Sequence, residues 1–258
     1  MDEKIREFSE NHFTSPTTDL DKTLTPTALI RSSYVANESR EFLIYGTKGW
    51  GKSSYALKIL AQLYQTWEWE ILKKYIVFSP DDFIKVMAAL KAEDAPRQYA
   101  LLWDDAGVWL SALKWNDPLL IAIVRYLDVC RVHWAAILFT TPFPTHVVKK
   151  VRGLPSAITI RIDKVNGNVN KPRKAVGYYT WTLPDLKKTR VAPALEDEFS
   201  AVLPNKLYNS YQEYRKGYAF KAIEEIEDRL YEANEKAKKS LAGKGKFMDP
   251  EPEVEENY

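Results

Sequence analysis

The chain has 258 residues, 45% of them apolar, and a formal net charge of +2, which suits one sizeable α/β core with appendages or, at a stretch, two small domains. No apolar run approaches the roughly 18 residues that span a bilayer, and the charged start Met1-Asp2-Glu3-Lys4 lacks the apolar stretch of a signal peptide. A lone cysteine, Cys130, excludes an internal disulfide and the histidines (His12, His133, His146) are scattered without zinc spacing, so a soluble protein of a reducing cytoplasm, with no membrane, is expected.

Residues 1–24, polar and rich in Ser, Thr and Asp, are expected to form a flexible arm. Thr25-Pro26 predicts a cap with proline at the first helical position, opening a short helix to about Ala36. Glu41–Tyr45 reads as a buried strand that stops at Gly46. Lys52–Glu68 has helical spacing, with Ala56, Ile59, Leu60 and Leu63 on one face. Tyr75–Phe78 is a second strand, and Ser79-Pro80-Asp81-Asp82 caps the next helix. Tyr99–Trp103 is a third strand, ending at Asp104-Asp105. Asp117-Pro118 opens a helix to about Val132 that carries Cys130 as an inert core thiol. Trp134–Phe139 makes a fourth strand before Thr140-Thr141-Pro142, and Thr145–Arg152 a short helix stopped by Gly153.

Ala157–Ile162 and Val176–Leu183 predict a β-hairpin near 157–183, around the turn residues Asn166-Gly167-Asn168. A long amphipathic helix, assigned to 201–240, follows from about Asn205, with Leu207, Tyr211, Tyr214, Tyr218, Ala222 and Ile226 on one stripe. Residues 241–258 carry two Lys against five acids among Gly and Pro, and read as a disordered acidic tail. Strands alternating with helices over 41–163 call for a mainly parallel sheet covered on both faces. In such sheets ligands sit at the carboxyl ends of the strands. The loop at 46–54, the acid pair and the threonine pair all fall there.

Gly46-x4-Gly51-Lys52-Ser53 is a full Walker A match between a strand and a helix. Gly46, Gly49 and Gly51 let the backbone of Thr47, Lys48 and Trp50 curl, so that successive N–H groups face phosphate oxygens. The N-terminus of the helix adds positive potential. Lys52 supplies a cation for the β- and γ-phosphates of ATP, Ser53 a hydroxyl for Mg2+, and Ser54 the next helical residue. Trp50 stands where a small residue is usual; its ring must point away from the phosphates, and packing against a neighbouring element suits it better than a direct part in catalysis.

Asp104-Asp105 after four apolar residues is a Walker B pattern: Asp104 is placed to hold Mg2+ and Asp105 to polarise the attacking water. Asp is one methylene shorter than the Glu common at the second place, which points to slow hydrolysis or a differently held water. Thr140 or Thr141 is the candidate sensor of the γ-phosphate; a strand-end turn held by hydroxyl bonds is the other reading. Arg152 is a candidate arginine finger for a neighbouring subunit or else a solvated helix-end charge, with Arg125 and Arg131 as runners-up.

Residues 149–190 contain eleven Lys and Arg against two Asp. Arg173, Lys174, Lys187 and Lys188 accompany Tyr178, Tyr179 and Trp181, cations with interleaved aromatics that suit a nucleic-acid backbone and stacked bases. An ordinary strand with its rings on one buried face fits the same alternation. DNA and a homo-oligomer are the expected partners, with replication or packaging proteins beside them.

The strings Tyr45-Gly46-Thr47-Lys48-Gly49-Trp50-Gly51-Lys52-Ser53-Ser54-Tyr55-Ala56-Leu57-Lys58, Trp103-Asp104-Asp105-Ala106-Gly107-Val108-Trp109-Leu110 and Leu138-Phe139-Thr140-Thr141-Pro142, and later Tyr179-Thr180-Trp181-Thr182-Leu183-Pro184, resemble the P-loop ATPases of archaeal spindle-shaped viruses and related plasmids, described as similar to the replication initiator DnaA. The resemblance covers roughly 26–230. It implies an ATPase of a mobile genetic element, acting in replication or its control. The expected fold is a three-layer α/β P-loop domain of the ASCE type, to which AAA+ proteins belong, over 25–200, with the hairpin and the C-terminal helix added. A DNA-translocating or packaging motor and a nucleotide-gated binder with little turnover are the competing functions.

Overall fold

Apolar runs bounded by turn residues become the centre of one sheet in the computed structural model, which describes residues 22–153, 157–165, 172–183 and 188–244. The strands are β1 (Arg40–Tyr45), β2 (Ile76–Val77), β3 (Gln98–Trp103), β4 (Trp134–Thr141), β5 (Ile158–Lys164), β6 (Arg173–Leu183) and β7 (Lys188–Phe199). Their order across the sheet is β2-β3-β4-β1-β5-β6-β7. The first five are parallel, whereas β6 and β7 are antiparallel additions beside β5. β4 buries all eight of its residues, the pattern of a strand covered on both faces.

The helices are α1 (Thr25–Val35), α2 (Lys52–Tyr64), α3 (Trp69–Leu72), α4 (Pro80–Ala92), α5 (Pro118–Leu127), α6 (Lys149–Arg152) and α7 (Asn205–Lys244). Side chains alternate across a strand, and here the alternation makes three layers. Leu43, Leu101, Trp103, Ile137 and Phe139 join Phe83 of α4 and Leu120, Ile123 and Leu127 of α5 in one apolar cluster. Phe42, Ile44, Leu102, Ala136 and Leu138 are as deeply buried on the opposite face, where α1 and α2 meet β3 and β4. The expected three-layer, mainly parallel sheet is the fold observed.

Two helix starts follow the capping logic of the sequence. The Ser79 hydroxyl accepts from the Asp82 N–H at 3.3 Å while Asp82 accepts from the Ser79 N–H at 3.1 Å. Asp117 accepts from Leu119 and Leu120 at the head of α5. Thr25 differs: Leu24 occupies the cap position, and the Thr25 hydroxyl donates instead to Asp197 at 2.6 Å. α5 ends at Leu127, and Cys130 sits in a separate 3-10 turn. The helix expected over 145–152 is a 3-10 turn, Pro144–His146, followed by α6.

The expected hairpin is β5 with β6. Its first strand is also the fifth parallel strand, with Phe42 opposite Ile158 and Tyr45 opposite Arg161. β7 was not expected at all. Ala192, Pro193 and Ala194 dilute its strand signal, and the proline is tolerated because β7 lies at the edge of the sheet.

The chain divides into two compact units, 1–208 and 209–258. α7 opens within the first and supplies the described part of the second, where Tyr214 and Tyr218 form an edge-to-face pair with centroids 5.2 Å apart. Most of the expected arm and tail, 1–21 and 245–258, lies outside the described residues. Leu24, assigned to the arm, is buried, and its N–H donates to Gln62 Oε1 at 3.0 Å. Among the described residues no helix is long and apolar enough to cross a membrane.

Cys130 is 2% exposed, and burial pushes its thiol up to about 11, so little of the reactive thiolate exists near neutral pH. Alkylation at pH 7.5 should be slow in the native protein and rapid in denaturant. Equal rates, followed by mass spectrometry, would show that the turn holding Cys130 is open.

Candidate functional site

Residues 46–51 join the carboxyl end of β1 to α2, and the loop's shape depends on two glycines. Gly51 has φ 97°, and a Cβ there would lie 3.0 Å from the Cβ of Ala201. At Gly46 a Cβ would meet the Ile162 carbonyl oxygen of β5 at 2.7 Å. Any larger residue at either place must displace backbone or strain it. The Gly46 N–H donates to the Pro142 carbonyl at 3.3 Å, tying the loop to the turn after β4, and the Trp50 N–H closes on Thr47 O at 3.2 Å. Thr47, Lys48 and Gly49 are exposed, whereas Trp50, Ser53 and Ser54 are half-buried. Lys52 is 7% exposed, and its ammonium donates to Thr47 O at 3.2 Å.

Walker B residues arrive from β3. Asp104 is fully buried, and its Oδ1 accepts from the Ser53 hydroxyl at 3.0 Å and from the Thr140 hydroxyl. The same Thr140 oxygen accepts the Asp105 N–H at 2.9 Å, and the Ala106 N–H donates to Thr140 O at 2.8 Å. One chain of hydrogen bonds thus links the loop helix, the Walker B strand and the end of β4. Asp105 is half-buried with φ 49°, a left-handed conformation that Asp adopts more readily than most residues. A nucleotide with Mg2+ fits this arrangement: the loop offers a glycine-shaped curl at a helix N-terminus, and Ser53 and Asp104 present oxygens to one point, the hard donors Mg2+ takes alongside water and phosphate.

The structure separates the two threonines. Thr140 lies in the hydrogen-bond chain, whereas the Thr141 hydroxyl donates to Phe143 O at 3.0 Å and Thr141 packs against Gly107. The Thr141 hydroxyl thus serves the turn after β4, and of the two candidate sensors Thr140 is the one that lies beside the acid pair. Arg152 is exposed at the end of α6, on the segment that leaves the carboxyl end of β4. Arg131 donates to Asn37 O, before the start of β1, which places it at the opposite end of the sheet and out of the site. Arg125 is exposed in the last turn of α5.

The basic block is less uniform than its charge suggests. Lys150 pairs with Asp128, Arg161 with Asp163 and Lys174 with Glu196 at 2.6–3.0 Å. β7 also brings Glu196, Asp197 and Glu198 alongside β6. Lys171 and Lys187 lie outside the described residues, as do the side chains of Trp181 and Lys188. Arg173, read from the sequence as a surface cation, is 5% exposed with its Cγ 3.8 Å from the Cβ position of Gly51. Alternation would have flagged it: Arg173 shares its strand face with Ala175 and Gly177 and not with Lys174.

No protein-family profile matches the chain. It is 26% identical over 211 residues to uncharacterized protein B-251 of Sulfolobus spindle-shape virus 1, covering 78% of this chain and 83% of that protein. It is 29% identical over 136 residues to uncharacterized protein ORF286 of Acidianus two-tailed virus, covering 52% of this chain and 46% of that one. Similar solved structures include the N-terminal domain of zonular occludens toxin from Neisseria meningitidis (14% identity, TM-score 0.39, 66% of this chain and 97% of that one). A KaiC-like protein from Pyrococcus horikoshii is another (16%, TM-score 0.33, 60% and 89%). At such scores the assignment to the P-loop NTPase fold rests on the strand order and the loop described above. The sequence relatives are archaeal viral proteins, as the motif strings led one to expect; the comparisons do not extend to DnaA.

Thr140→Val keeps the shape of the side chain and deletes the bridging hydroxyl. It should lower steady-state phosphate release by about tenfold, a cost near 1.4 kcal/mol, with nucleotide affinity little changed. Thr141→Val should release phosphate at the parent rate. Equal behaviour of the two variants would separate catalysis from this hydrogen-bond chain.

Proposed function

We propose that the chain binds ATP with Mg2+, hydrolyses it slowly, and does so on DNA in the host cytoplasm, in replication of a mobile element or its control. The observation that carries the reading is the hydrogen-bond chain Ser53–Asp104–Thr140–Asp105 beside a glycine-shaped loop. In it, the backbone N–H groups of 47–51 and the Lys52 ammonium hold and orient the polyphosphate, while Ser53 and Asp104 hold the ion. Mg2+ supplies neutralisation of phosphate charge when bound. Asp105 accepts a proton from water; Thr140 fixes both the Asp104 carboxylate and the Asp105 backbone, so it positions the reacting side without touching it.

The shorter reach of Asp105 supports a second reading with the same site, a nucleotide-gated binder that turns over little. DNA is favoured by the exposed Lys149 and Arg152 on α6, in the segment that leaves the carboxyl end of β4. Arg152 there is also our candidate for reaching a neighbouring subunit's nucleotide in a homo-oligomer. A packaging motor would differ by displacing a roadblock from DNA in an ATP-dependent way.

Lys52→Ala should abolish tight ATP binding in a fluorescent-nucleotide titration. Asp105→Asn should keep that binding and reduce turnover by about 10²-fold, the lower scale of a lost general base. Parent-like affinity in the first, or parent-like turnover in the second, would move the site or the base elsewhere. Duplex DNA binding should weaken steeply with salt as counterions are released. No binding at low salt, with or without ATP, would remove DNA and leave a protein partner for this surface.

A further inference from the structure

α7 runs for 40 residues, about 60 Å of helix, and from Asn209 onward it is the described part of the second compact unit. Ala219, Ile223, Ile226, Leu230, Ala233 and Ala237 follow one another along it in alternating steps of four and three. That is the a and d spacing of a coiled-coil seam. Ile223, Ile226 and Leu230 are 51%, 66% and 61% exposed, and Ala219 and Ala233 are exposed beside them. A long helix owes most of its stability to covering its apolar face. Three large aliphatic side chains left in water at this spacing therefore point to a second helix.

The charges on α7 decide which helix. Residues 224–232 hold five acids and one arginine, whereas 236–239 hold three lysines. A second copy lying parallel and in register would set acids against acids. Turned the other way, with the centre of the reversal between Tyr231 and Glu232, it sets each acidic stretch against the partner's lysines. The same reversal puts Leu230 opposite Ala233 of the partner subunit and Ile226 opposite Ala237 of the partner subunit. Large side chains then meet small ones, which lets the layers interdigitate.

We propose that α7 is a self-association element, pairing with α7 of a second copy of this chain as an antiparallel coiled coil over 219–240. The pairing uses neither the phosphate loop nor the acid pair, so it stands apart from the nucleotide reading. It brings two copies of the sheet domain, each with its own loop, into one particle.

The test measures the mass of the full chain by light scattering over a range of concentrations, without nucleotide. The parent should pass from monomer to dimer as concentration rises. Ile226→Gln and Leu230→Gln should each raise the midpoint of that transition about tenfold or more, because every dimer loses the apolar contact twice. Tyr231→Gln is the control: Tyr231 is 69% exposed but off the seam, and its variant should dimerise as the parent does. Spin labels on Lys221→Cys report direction, since the antiparallel register separates them by about 30 Å along the axis and a parallel one by none. A parent that stays monomeric throughout, or that forms a species other than a dimer, would overturn the proposal. So would seam variants that dimerise like the parent, or a Tyr231→Gln variant as impaired as Leu230→Gln, which would mean unspecific apolar contact. Labels closer than about 20 Å would overturn the antiparallel arrangement.

Discussion

A buried carboxylate has to be met by donors, and Asp104, with no exposed surface, is met by two hydroxyls from distant parts of the chain. Ser53 comes from the helix after the loop and Thr140 from the end of β4. Neither can shift without disturbing the carboxylate. Because hydrogen bonds to charged groups contribute about 1.5–3 kcal/mol each, this small knot sets the registration of loop, Walker B strand and fourth strand. The strand order follows the same need. β4 lies between β1 and β3, which is what lets a threonine at its end reach across to Asp104 and Asp105.

The three strands after residue 157 have a comparable hold on the loop from the other side. β5 sets the Ile162 carbonyl against Gly46, leaving no room for a side chain, and β7 brings Phe199 and Asp197 onto Tyr55. Thr25 joins through Asp197, so the segment ahead of the first strand is anchored by the last one. A bulge between Gly177 and Tyr178, where a Cβ on the glycine would fall 2.5 Å from Leu195 Cγ, adjusts the pairing of β6 with β7. The additions are thus built into the phosphate side of the domain, and a change in the loop has a short mechanical route to the face that carries Lys174.

Much of the site was legible because its chemistry is written in short local strings. Gly46-x4-Gly51-Lys52-Ser53 and Asp104-Asp105 fall where a strand ends, and strand ends converge in a parallel sheet. The choice between Thr140 and Thr141 was not legible, since adjacent residues on a strand point to opposite faces and the string alone does not say which faces the acid. Arg173 was misassigned for a related reason: counting charge over 149–190 ignores alternation, which separates it from Lys174. β7 escaped because its alanines and Pro193 carry little strand preference; only pairing with β6 makes it a strand. Thr25 was expected to cap its own helix, but a carboxylate 172 residues away competes successfully for its hydroxyl.

The central claim is that loop and acid pair form one magnesium-nucleotide site, and calorimetric titration of ATP into the parent protein, with Mg2+ and then with excess EDTA, tests it most directly. The account predicts one ATP per chain and a clear loss of affinity when the ion is removed, because Ser53 and Asp104 would then have nothing to share with the phosphates. Absence of binding under both conditions, or identical affinity with and without the ion, would contradict it.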